Sequence, residues 1–274
     1  MKVSLIIAVY KDIGALTLII EALKTQTYKN FEVIIAEDGE SNEMKDYIKT
    51  IKRLKVKHTT QEDLGIRKTR SLNNGILVSS GEYLIFIDGD CVPYSTFIEG
   101  HILLAQKDFV LSGRRVNLGI KYSTMLRNNQ ITPYQLEKSF FYRYFTIAKD
   151  STEGHTENGF HINPKGTIYK YFFKNRNSST NLLGCNYSCY REDMIKINGY
   201  DESYGETAVG DDTDLQWRFK AIGMQFKSVK FIANVFHIYH SRSFRTIDPT
   251  EALNLMQYNK ENNLFIAKKG ILEH

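Results

Sequence analysis

Tyr83-Leu84-Ile85-Phe86-Ile87 is an unbroken apolar run that stops at Asp88-Gly89-Asp90. A short apolar run bounded by a turn signal reads as a strand buried on both faces. Two carboxylates separated by one glycine can present oxygens to a single divalent cation, and the glycine lets the backbone approach a bulky anion. By itself the stretch also reads as an ordinary strand-end turn, since Asp and Gly are common there. Its meaning rests on what surrounds it.

Val3-Ser4-Leu5-Ile6-Ile7-Ala8-Val9, bounded by Tyr10-Lys11-Asp12, has the same buried-strand character, and Phe31-Glu32-Val33-Ile34-Ile35-Ala36 repeats it before Glu37-Asp38-Gly39. Between them Leu16, Ile19, Ile20 and Leu23 recur at helical spacing. After them Met44, Tyr47, Ile48 and Ile51 do the same. Residues 56–59 read as a short third strand and 66–79 as a third helix. Strand and helix alternate, which predicts an α/β fold with a mostly parallel sheet covered by helices. In such sheets ligands bind beyond the carboxyl ends of the strands. Tyr10, Asp38 and Asp88/Asp90 all fall at strand ends, so the pattern favours a nucleotide pocket.

Residues 114–181 change to Lys, Tyr, Phe and Asn with little periodicity. An amphipathic helix is predicted over 136–148 and a polar loop over 151–163. Tyr169-Lys170-Tyr171-Phe172-Phe173-Lys174 reads as an edge strand or a core-facing piece of an insertion, or as a contact with an acceptor or a membrane surface. Gly210-Asp211-Asp212-Thr213-Asp214 opens a helix marked by Leu215, Phe219 and Ile222. One of these acids is expected to cap the helix, and another is available as a general base. His237 and His240 lie on a late strand-like segment. Strict alternation would set them on opposite faces, so only His240 is taken as a candidate ligand, alongside carboxylates suited to Mn²⁺. Asp248, Pro249 and Glu251 predict the start of a terminal helix that closes before Gly270.

Lys and Arg total 36 against 31 acidic residues, a balance too mild and scattered to argue for nucleic acid. Three cysteines beside apolar residues argue for small reduced core residues rather than a disulfide framework. No stretch reads as a signal peptide or reaches the roughly 20 apolar residues that a transmembrane helix needs. A cytoplasmic protein is expected, with peripheral contact at the inner face of the cell membrane left open. Leu272-Glu273-His274 reads as a tag remnant.

In this order and at these separations, 3–10, Glu37-Asp38-Gly39, Leu72-Asn73-Asn74-Gly75-Ile76, Gly81-Glu82-Tyr83 and Ile85-Phe86-Ile87-Asp88-Gly89-Asp90 make the chain resemble family 2 glycosyltransferases of the GT-A fold. Gly184-Cys185-Asn186-Tyr187-Ser188, Ile197-Asn198-Gly199-Tyr200-Asp201-Glu202, Gly210-Asp211-Asp212-Thr213-Asp214 and His240-Ser241-Arg242 resemble the galactosyltransferase-type catalytic half. The resemblance implies a nucleoside-diphosphate sugar donor, a UDP-sugar first. Tyr10 and Asp38 would then contact the base, and Ala8, Asn73, Asp88, Gly89, Arg67 and Arg70 would line the nucleotide side. Mn²⁺ or Mg²⁺ would be held by Asp90, Asp88 and His240, with Asp212 as catalytic base and Asp211 beside it in place of the family's usual Glu. It also implies one domain over 1–271: a nucleotide-binding half (1–113), an acceptor-side insertion (114–181), a catalytic half (182–247) and a C-terminal helix (248–271). The expected activity is inverting transfer of a hexose or N-acetylhexosamine to a hydroxyl of a glycan or lipid-linked glycan. A sugar-nucleotide nucleotidyltransferase and a non-catalytic binding protein of the same fold are the alternatives.

Overall fold

The structure is a computed structural model that describes residues 1–173, 180–240 and 247–273. Lys174, Ser241, Arg242 and His274, named above, lie outside the described residues. The first half builds β1 (Val3–Val9), α1 (Ile13–Lys24), β2 (Phe31–Glu37), α2 (Asn42–Thr50), β3 (Val56–Thr59), α3 (Lys68–Val78) and β4 (Tyr83–Asp88). β1 lies between β2 and β4 and is parallel to both, with Val9 opposite Glu37 and Ala8 opposite Asp88. This register sets the ends of the three strands side by side, so Tyr10, Asp38 and Asp88 arrive at one edge of the sheet.

Alternation along β1 shows why β1, β2 and β4 carry apolar residues on both faces. Leu5 and Ile7 join a core with Leu16, Ile19 and Leu23 of α1, whereas Ile6 joins Ile34, Phe86 and α3's Leu72 and Ile76 on the opposite face. Both faces are covered, and each fully buried Ile or Leu contributes roughly 1.5–3 kcal/mol of transfer free energy.

The second half supplies β5 (Cys91–Pro93), α4 (Phe97–Leu104), β6 (Phe109–Ser112), β7 (Arg114–Asn117), α5 (Ile120–Arg127), α6 (Pro133–Asp150), β8 (Asn186–Tyr190), α7 (Arg191–Lys196), α8 (Asp212–Ala221), β9 (Gln225–Ser228), β10 (Asn234–His237) and α9 (Thr250–Glu261). The main sheet has seven strands in the order β3-β2-β1-β4-β8-β6-β9, and β8 runs antiparallel to both its neighbours. A second, three-stranded sheet, β5-β10-β7, leaves the main one just past Asp90.

Several expectations shift. α6 is longer than 136–148 because Thr132 and Gln135 form a reciprocal capping box with Pro133 in the first turn. Tyr169–Phe173 is a single π-helical turn, not an edge strand, with Tyr171 and Phe172 exposed. α9 ends at Glu261, well before Gly270. Asp248 accepts from the amide of Thr250, while Pro249 occupies the capping position. Leu272 and Glu273, read as a tag remnant, are tied to the fold: the Leu272 amide donates to Asn198 Oδ1, and Asn198 Nδ2 donates to Glu273 Oε2. All three cysteines are free and buried. Among the described residues no helix is long and apolar enough to cross a membrane.

Candidate active site and metal centre

Asp90 sits in the turn between β4 and β5. Gly89 is required there by packing against the sheet: a Cβ on it would fall 2.7 Å from the carbonyl oxygen of Ala8. β5 pairs antiparallel with β10 so that Cys91 faces His237, and the Ile238 amide donates to the Asp90 carbonyl. The Tyr239 amide donates to Ser123 Oγ, which anchors the chain as it leaves the strand.

These bonds bring both late histidines to one carboxylate. Asp90 Oδ2 lies 3.1 Å from His240 Nε2 and 3.4 Å from His237 Nε2. The expectation that the two histidines diverge is therefore corrected. β10 ends at His237, so residues 238–240 do not follow strand alternation. Burial alone would push the Asp90 carboxyl up, but hydrogen bonding and charge from His237 and His240 hold it well below the usual carboxylate range.

One atom from each of Asp90, His237 and His240 lies within 4.8 Å of the others. Two imidazole nitrogens and one carboxylate oxygen form a donor set suited to Mn²⁺ and other borderline divalent ions. The residues thus fit the implied metal. Asp88 is placed differently from the expectation: its Oδ1 lies 2.6 Å from Lys68 Nζ, and it is outside the three-ligand cluster.

Lys68, at the start of α3, is the functional candidate missed in the sequence. Its ammonium also lies 2.6 Å from Asp211 Oδ2, linking the end of β4 to the start of α8. Burial would lower the Lys68 pKa, yet Asp211 and Asp88 hold it well above the ordinary lysine value. Burial pushes the Asp211 carboxyl up to about 6; Lys68 opposes this, whereas Asp88 and Asp212 add to it.

None of the three acids plays the capping role foreseen. Asp211 occupies the N-cap position of α8 without a side-chain cap bond. Asp214 is fully buried and receives hydrogen bonds from Arg218 Nε, Tyr204 Oη and Trp217 Nε1. Arg218 in turn donates to the carbonyls of Ile197 and Gly199, fixing the helix from below. Asp212 Oδ2 accepts from the Gly184 amide at 3.2 Å, and among the described residues Asp212 has no cationic partner.

On the nucleotide side, Asp38 is nearly buried and accepts from Gln61 Nε2 and from the Arg67 amide, both at 2.7 Å. Burial raises its pKa, and these bonds oppose the rise. Tyr10 is exposed, and its hydroxyl donates to Asp63. The Arg67 guanidinium donates to the Glu62 carbonyl, whereas Arg70 is exposed on α3. Beside this loop the Ile66 amide donates to Glu206, which closes over Gly65. Asn73 does not face the ligand side. It is fully buried, donates to the Tyr200 carbonyl and Glu202, and accepts from the Tyr200 amide, so it joins α3 to the catalytic half.

The sequence model described as "Glycosyl transferase family 2" matches residues 4–178, and that of the "N-terminal domain of galactosyltransferase" matches 167–241. An uncharacterized glycosyltransferase of Rickettsia bellii is 34% identical over 113 residues, covering 40% of this chain and 16% of that protein. The putative glycosyltransferase EpsH of Bacillus subtilis is 39% identical over 92 residues, covering 32% of this chain and 26% of that protein. The chain thus matches only a minor part of each relative's length.

Among solved structures, Staphylococcus aureus TarS superposes with a TM-score of 0.58 at 13% identity, covering 100% of this chain and 41% of that one. The mannosyltransferase PcManGT from Pyrobaculum calidifontis, in complex with GDP-Man and Mn²⁺, superposes with a TM-score of 0.56 at 13% identity, covering 93% and 60%. At that identity the likeness concerns fold alone, and the fold is GT-A. Since the first of these sequence models spans well over half of the chain and the sheet order agrees with that architecture, the chain belongs to glycosyl transferase family 2.

Proposed function

We propose that the protein is a metal-dependent inverting glycosyltransferase that moves a hexose or N-acetylhexosamine from a nucleoside-diphosphate sugar, a UDP-sugar first, to a hydroxyl of a glycan or glycolipid. One observation carries this reading. The Asp90-His237-His240 cluster is joined, through Asp88 and Lys68, to the acids that open α8. The Pyrobaculum mannosyltransferase is in complex with GDP-Man and Mn²⁺, which supports a sugar nucleotide and a divalent ion as the class of ligands.

In this reading Asp90, His237 and His240 hold Mn²⁺ or Mg²⁺. Bound there, the ion supplies positive charge beside the diphosphate leaving group. Tyr10, Asp38 and the Arg67 loop receive the base, with Ala8 and the turn at Asp88 and Gly89 beneath the sugar-phosphate. Asp212, without a cationic partner among the described residues, takes the proton of the acceptor hydroxyl. The acceptor oxygen bonds to the anomeric carbon as the bond to the diphosphate breaks, and the electron pair leaves with the nucleotide. A single displacement inverts the configuration. Lys68 holds Asp88 and Asp211 in place. The chain acts as one catalytic unit over 1–271, and its acceptor binds against 114–181.

Nucleotide release from a panel of UDP- and GDP-sugars, with and without Mn²⁺ or Mg²⁺, tests the proposal. Release should require the ion. Asp212→Asn should lower kcat about 10²- to 10⁴-fold with its acceptor present. Full turnover after chelation, or in Asp212→Asn, would overturn the respective role.

A further inference from the structure

A cleft of about 800 Å³ opens beside β7, lined by Arg115, Asn117, the 153–158 segment and residues 181–183. This is an ordinary size for a small-ligand site. It lies on the far side of β4 from the nucleotide pocket, since β8 and β6 follow β4 in the sheet while β1, β2 and β3 precede it. It also adjoins both halves of the reaction centre. Asn117 pairs with His237 across β7 and β10, and Leu183 precedes Gly184, whose amide donates to Asp212.

Three features of the cleft are unfinished. Arg115 and Asn117 are two apart on a strand and share a face, while Val116 between them points into the core. The Arg115 guanidinium donates to Cys185 Sγ at 3.8 Å and, although partly buried, makes no direct ion pair with a carboxylate among the described residues; Asp90 acts on it only through longer-range charge. The other cations of the cleft are occupied: Arg114 donates to Thr180, Ser112 and two carbonyls, and Lys230 lies 3.5 Å from Glu157. Asn117 and Asn158 are each 5% exposed, and the side-chain oxygen of each has no hydrogen-bond partner among the described residues. Asn158 is oriented by its other end, since Nδ2 donates to the Arg115 carbonyl at 2.9 Å. Buried amide oxygens without partners cost free energy unless a ligand supplies donors, and a planar guanidinium favours bidentate pairing with a carboxylate or phosphate.

We propose that this cleft is the acceptor subsite and that it takes a sugar with an anionic substituent, a carboxylate or a phosphate. Arg115 binds the charge, and the side-chain oxygens of Asn117 and Asn158 accept from sugar hydroxyls. The proposal rests on the glycosyl-transfer reading, because it uses Asp212 and the metal centre to define where an acceptor must sit. Glu153 and Glu157 also line the cleft, so a polyanion without hydroxyls is a poor fit and an acidic sugar a good one.

The test is direct binding, by titration calorimetry or ligand-observed NMR, without donor. The probes are p-nitrophenyl β-glucuronide, glucose 6-phosphate and the neutral p-nitrophenyl β-glucoside. At least one acidic probe should bind roughly tenfold or more tightly than the glucoside, and the preference between carboxylate and phosphate names the source of the charge. Arg115→Gln should abolish that preference, Arg115→Lys should retain part of it, and in both the change in UDP-Mn²⁺ affinity should be much smaller than the loss of acidic-sugar affinity. Equal binding of acidic and neutral probes to the native protein overturns the proposal whether or not the variants fold. Loss of UDP-Mn²⁺ affinity in Arg115→Gln, with acidic-sugar affinity intact, also overturns it by assigning Arg115 to the donor diphosphate. Acidic-sugar binding without any nucleotide-sugar turnover would sustain the cleft and defeat the transferase reading instead.

Discussion

Lys68 holds Asp88 and Asp211 at 2.6 Å each, two carboxylates that would otherwise repel across the junction of β4 and α8. Lys68→Gln should therefore lower stability by roughly 1–3 kcal/mol in urea unfolding, less than for a fully enclosed pair because these side chains stay partly exposed. Adding Asp211→Asn should restore part of the loss. An unchanged midpoint in the single variant would show that the bridge contributes nothing. The sequence could not single out this lysine, since Arg67, Lys68 and Arg70 form one basic run and composition does not rank them. Side-chain direction decides: Lys68 reaches the strand ends, Arg67 meets Asp38 through its backbone amide rather than its guanidinium, and Arg70 faces solvent. His237 was missed for a different reason, because parity holds only while a strand lasts. Asn73 was misplaced because a conformationally adaptable amide near a ligand edge serves equally well as a bond between elements.

α6 shows what a helix can present once its inner stripe is satisfied. Leu136, Phe140 and Ile147 are buried, whereas Phe141, Tyr142 and Phe145 are 71%, 86% and 82% exposed on the outer face, near Lys138 and Lys149. Aromatic and cationic helix faces of this kind settle at the interface of anionic membranes. Co-sedimentation with phosphatidylglycerol vesicles should be measurable at low salt and should fall several-fold in Phe141→Ser/Phe145→Ser. Equal pelleting of variant and native protein would dismiss the face as a lipid contact. Most of the parallel half of the sheet was legible because β1, β2 and β4 are bounded, largely apolar runs. The β5-β10-β7 sheet was not, because its three- and four-residue strands carry no periodicity and their pairing is set by distant contacts. His237 and the cleft beside β7 both depend on that small sheet, which is why the acids were readable and their full company was not.

His101 lies wholly buried between the sheets' supporting elements, bonded to Ser188 at 2.8 Å and to Asn186 at 3.1 Å. Burial pushes its pKa down to about 3, with the bond to Asn186 opposing. The unfolded chain binds a proton there near pH 6.5, so between that pH and about 3 the unfolded state holds more protons and stability falls as pH falls. The contribution is at most about 1.4 kcal/mol per pH unit. Urea midpoints at pH 7, 6, 5 and 4 should fall less steeply in His101→Gln than in the native protein; parallel curves would remove His101 from the acid response. The knot beneath α8 has another consequence. With Arg218 clamped to Asp214 and to two carbonyls in the interior, that helix is bolted down and makes a poor moving part. Asp211 and Asp212, which open that helix, are therefore carried on a fixed base.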